Sequence, residues 1–152
     1  MSIKSQQANM KAISTLVSQD LSYIFGERES GPNGVKKLFH FKSKAFLRTL
    51  GNDLGLKEFK VTSNSAGIAV SGEITLIGMW GEGNGLYFQI NQPLQPFNSF
   101  LYRRIKHMKD YSGEVNQWLP CNLFDDGDYE GFVCTLLKLR KFTQVETVRH
   151  AA

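Results

Sequence analysis

The stretch IAVSGEITLIGMWGEGNGLYFQIN, residues 68–91, decides the fold. Ile68, Val70, Ile74 and Leu76 fall on one side of an extended chain, and Ala69, Ser71, Glu73 and Thr75 on the other. Trp80 leads into Gly81-Glu82-Gly83-Asn84-Gly85, and then Leu86, Phe88 and Ile90 alternate with Tyr87, Gln89 and Asn91. Period-two alternation on both sides of a glycine-rich turn predicts an antiparallel hairpin with one buried face. Upstream, Phe59 and Val61 alternate with Lys60 and Thr62, which adds a strand.

Downstream, Pro93 and Pro96 interrupt the pattern. Residues Phe100 to Lys109 then read two ways. As a helix, Phe97, Leu101, Ile105 and Met108 align; as a strand, Tyr102, Arg103 and Ile105 continue the meander. We adopt the strand, giving an antiparallel sheet of about four strands.

The flanking segments have helical period. Met10, Ile13, Val17, Leu21 and Ile24 recur at three- and four-residue steps, predicting a helix over Ser5 to Phe25 that ends at Gly26. Glu27 to Gly34 is turn-rich. Val35 to Phe41 is short, with Phe39 and Phe41 on one side if extended. Ser43 then caps a second helix whose inner side is Phe46, Leu47, Leu50 and Leu54, closed by Gly55 and its partner Leu56. Asp126 or Asp128 caps a last helix that buries Tyr129, Phe132, Val133, Leu136 and Leu137. The expected architecture is α+β, with two N-terminal helices and one C-terminal helix covering one face of the sheet. Residues 1–143 form one domain, and residues 144–152 a frayed tail.

At 152 residues with 41% hydrophobic content, the chain can bury a core without staples. Its two cysteines, Cys121 and Cys134, are too few for a disulfide framework and lack zinc-site spacing. Residues Met1 to Asn9 are polar, unlike a secretory signal, and no apolar run reaches bilayer length. A cytoplasmic protein with no membrane span, no cofactor and no metal site is expected.

The net charge is +4, but its distribution says more. No acid occurs between Glu29 and Asp53, where Lys36, Lys37, Lys42, Lys44 and Arg48 fall. None occurs between Glu82 and Asp110, where Arg103, Arg104, Lys106 and Lys109 fall. Such blocks create positive fields that favour polyanions, against the simpler reading of solvated faces. Lys42 and Lys44 flank the expected cap Ser43 and oppose the helix dipole, a sign that a bound anion would reverse. If Arg103, Arg104 and Lys106 lie near in space, with Tyr102 available for stacking, the phosphate backbone of DNA or RNA is a natural ligand.

Other constellations are weaker. The loop at 81–85 lacks the Gly-Lys-Ser/Thr of a phosphate loop and leads into a strand. Asp126-Gly127-Asp128-Tyr129-Glu130-Gly131 opens like a calcium loop, but Leu137 stands where the closing acid belongs. Cys121 and His107 form a possible nucleophile and base, with Asn116 as orienter, in an order that matches no local catalytic signature. Tyr111, Asn116 and Trp118 lie in an irregular aromatic segment that can wall a ligand, although Trp118 and Leu119 plugging the core is the simpler reading. The sequence therefore points first to a non-catalytic polyanion-binding module. The alternatives are a protein-interaction or homodimeric module using the Tyr87 side of the sheet or the aromatic segment from Tyr111 to Pro120, and a small hydrolase or transferase built on Cys121 and His107.

Overall fold

The alternation around the hairpin becomes a five-stranded antiparallel meander. The computed structural model describes residues 3–17, 35–64, 73–91, 99–110 and 114–140. Strands β1 (Glu58–Asn64), β2 (Glu73–Gly81), β3 (Asn84–Asn91), β4 (Ser99–Ile105) and β5 (Gln117–Pro120) lie in that spatial order, each antiparallel to the next. The register lines Val61, Leu76, Phe88 and Tyr102 up across one face, and Lys60, Ile77, Tyr87 and Arg103 across the other. The segment expected as a strand over Phe100 to Lys109 is one over Ser99–Ile105, and residues 106–109 form a turn instead. β5 is one strand more than expected: four residues carry too little periodicity to read, yet Leu119 pairs with Phe100 and is buried.

Helix α1 (Ile3–Val17) packs on α2 (Val35–Asp53), α3 (Asn122–Asp126) and α4 (Tyr129–Leu137), and those three pack against the sheet. α1 buries Gln6, Met10, Ile13 and Leu16, at steps of three and four residues. α4 is capped by Asp128, whose carboxylate accepts from the Gly131 N–H at 3.0 Å, so this carboxylate serves the helix start. The inner sides of α2, α3 and α4 meet the sheet in one aromatic cluster. Phe124 lies 4.5 Å from Phe100, 5.1 Å from Phe132 and 5.4 Å from Phe46 by ring centroids, and Phe132 lies 5.3 Å from Phe88. The hydroxyl of Tyr129 donates to Asp53, and burial followed by that carboxylate pushes the phenol pKa up.

The second helix corrects the sequence reading. It starts at Val35, so Ser43 is not its cap but lies in mid-helix, fully buried between Phe39 and Phe46 on the inner side. Residues two apart on a helix point about 200° apart, so Phe39 turns inward while Phe41 turns to water. Lys42 and Lys44 are mid-helical for the same reason, and the expected clash with the helix dipole is absent at those positions. The end of the helix is as anticipated. Gly55, at φ 72°, sends its N–H to Asn52 O at 3.1 Å, and the Leu56 N–H reaches Gly51 O at 3.4 Å. That is the paired bonding of a Schellman stop.

The Ser43 hydroxyl has no hydrogen-bond partner. A buried, unpaired hydroxyl is costly, and Ala is the better helix former. Ser43→Ala is expected to raise unfolding stability by about 1 kcal/mol. Denaturant unfolding reads this directly, and a loss of that size would mean the hydroxyl is bonded in solution.

Among the described residues no helix is long and apolar enough to cross a membrane. The tail at 144–152, the expected helix beyond Val17, and Ile68, Val70, Pro93 and Pro96 lie outside the described residues.

Candidate functional site

Neighbouring residues on a strand point to opposite faces, and this separates the β4 arginines. Arg103 lies on the face away from the helices, only 7% exposed, with its guanidinium 4.2 Å from the centre of the Tyr87 ring. It also donates to Asp110 O at 3.4 Å. Tyr87 in turn donates to Gln89 at 2.8 Å, and burial raises its pKa. Arg104 lies on the helix side, donating to Leu139 O at 2.8 Å and standing 3.6 Å from Glu114. Tyr102 is buried on that side too, paired with Phe88, so its ring is not open to a base. Both arginines therefore have structural work, and the two do not form one surface.

Lys106 and His107 lie beyond β4, at an open cleft of 440 Å³ beside the β2–β3 hairpin. Its walls mix Lys57 and Lys106 with Glu58 and Glu82, a balanced field rather than a cationic one. The hairpin glycines answer to the turn: Gly83 holds φ at 68°, a conformation that side chains resist.

The structure does not bring the nucleophile and base candidates together. Pro120 pairs with Ser99, so Cys121 lies beyond one end of β4 while His107 lies beyond the other. At about 3.3 Å per residue the two are roughly 20 Å apart. Burial and then the Asp125 carboxylate raise the Cys121 pKa, which depletes rather than enriches the reactive thiolate. Asn116 and Trp118 are exposed at β5, and Tyr111 lies outside the described residues.

One surface does collect cations. Lys37, Phe41, Lys44 and Arg48 succeed one another at steps of four, three and four on α2. At 100° per residue they fall within roughly 60° of arc, along about 16 Å of helix. Lys37 and Arg48 are exposed and Lys44 half-buried. Phe41 is 68% exposed and Leu38, one turn before it, 46%. Lys42 lies on the flank of this face, half-buried. α2 carries no acid before Asp53, which the Tyr129 hydroxyl engages.

Of the residues expected to bind an anion, Lys42 and Lys44 thus share α2, while Arg103 is on the opposite side of the sheet. Lys37 and Phe41 are the members that a helix starting at Ser43 concealed, and Arg48 joins them on the same face. Their spacing was the signal, and it becomes readable once Val35 to Asp53 is one helix. No family model, curated protein or solved structure matches this chain.

Proposed function

We propose that this chain is a non-catalytic polyanion-binding module, that its ligand is nucleic acid, and that the outer face of α2 is the contact surface. The supporting observation is the acid-free cationic stripe Lys37–Lys44–Arg48, exposed at Lys37 and Arg48, with the exposed Phe41 ring alongside it. A face serving solubility alone gains from pairing lysines with glutamates at four-residue spacing, and α2 has no such pair before Asp53. Burying the Phe41 ring is worth about 1.5–3 kcal/mol, which a ligand can recover. Positive charge without local compensation supplies long-range attraction to phosphates. This reading places the protein in the cytoplasm, where the thiols of Cys121 and Cys134 stay reduced.

A protein-interaction reading draws on exposed Val115 and Trp118 at the β5 edge. A second copy docking there would appear as a dimer in sedimentation.

Fluorescence anisotropy with labelled mixed-sequence DNA and RNA at about 50 mM salt tests the proposal. Saturable binding is expected. No binding by folded protein overturns it and leaves the interaction module as the better reading.

A further inference from the structure

Resting on that reading, we infer that the nucleic acid held by α2 is single-stranded, with a base stacked on the Phe41 ring. The outer face of the helix is two parallel tracks rather than a uniform patch. At 100° per residue, Lys44, Lys37 and Arg48 fall in one narrow arc, while Phe41, Ala45 and Leu38 fall in the adjoining arc. An extended single strand has the matching shape, with phosphates along one edge and base faces along the other. The stripe runs about 16 Å, room for a few nucleotides.

Duplex fits the apolar track poorly. A helix that reads the major groove needs side chains able to bond base edges, and phenylalanine offers at most contact with a thymine methyl. The ring in the centre of the face would instead meet phosphates or stacked pairs. In a single strand every base presents a π face, so the same ring binds without regard to sequence. An anionic membrane would draw on the cations too, but two apolar side chains, Phe41 and Leu38, give a shallow anchor compared with the broad apolar face of an interfacial helix.

The test compares wild type with Phe41→Ala, Phe41→Leu and Phe41→Trp. The probes are a labelled oligo-dT of about fifteen nucleotides, a duplex of equal length, linear polyphosphate as competitor, and phosphatidylserine vesicles. Oligo-dT is expected to bind more tightly than duplex at equal salt. Phe41→Ala should weaken oligo-dT binding about 5- to 100-fold while leaving competition by polyphosphate unchanged. Phe41→Trp should retain affinity, with indole fluorescence quenched on binding. Because Phe41 is exposed, unfolding curves of all three variants should match wild type within error. If Phe41→Ala or Phe41→Leu binds oligo-dT as wild type does, or vesicles are preferred, stacking is refuted. If polyphosphate still binds in that case, the polyanion reading stands. Failure of every probe overturns both.

Discussion

Phe88→Ala is expected to lower unfolding stability by about 3–5 kcal/mol, and Leu76→Ala by about 2–5 kcal/mol. Both side chains are fully buried and are paired across β2 and β3. Phe88 meets Phe100 at 5.9 Å and Phe132 at 5.3 Å, so its loss opens a cavity where sheet and α4 meet. Rings on three elements cannot collapse together into that space without moving the sheet or the helix. For a domain with a typical stability of about 5–15 kcal/mol this is a large fraction of the total. Denaturant midpoints measure it. A cost below about half a kcal/mol for both variants would mean that the strand faces are reversed, because a one-residue slip turns every side chain over.

The Lys37→Glu, Lys44→Glu, Arg48→Glu variant is expected to reduce single-strand binding by about 100-fold or more at 0.1 M salt. Each phosphate contact to a single strand releases about 0.7 of a counterion, worth about 0.7 of a decade at that salt concentration. Three contacts give about two decades, and reversed charges add repulsion. Stability should change far less than binding, since substitutions at exposed Lys37 and Arg48 stay within about half a kcal/mol and only Lys44 is half-buried. Glu at position 37 also suits the first turn of α2, which holds no acid in the native chain. Binding that falls while stability holds separates cations that serve a ligand from cations that serve the fold.

The sequence exposes the fold where period and punctuation agree. Alternation over Glu73 to Leu76 and over Leu86 to Asn91, on either side of a glycine-rich turn, marked the hairpin, although Ile77 and Met79 are buried on the second face. Gly55 and Asp128 marked a helix end and a helix start through their own chemistry. It misled where one residue served something other than packing. Phe39 and Phe41 read as one side of a strand because both are aromatic, and only the fold shows one turned in and the other out. The candidate site was hidden by that same exposed ring, which broke the amphipathic stripe of α2. Local conflict at a functional position is expected, since function and packing place different demands on a residue. The β4 arginines hold the opposite lesson. Once residues 99–105 form a strand, Arg103 and Arg104 must diverge, so their separation was readable and only their buried partners were not. β5 and the distance between Cys121 and His107 depend on long-range pairing that no local pattern encodes.

The salt dependence of oligo-dT binding reads out whether phosphates are held by the cationic track of α2. With three contacts, the logarithm of affinity should fall against the logarithm of salt with a slope of about −2, and Lys37→Gln, Lys44→Gln and Arg48→Gln should each flatten it by about 0.7. A slope that none of the three substitutions alters, or no binding at low salt, would contradict the account.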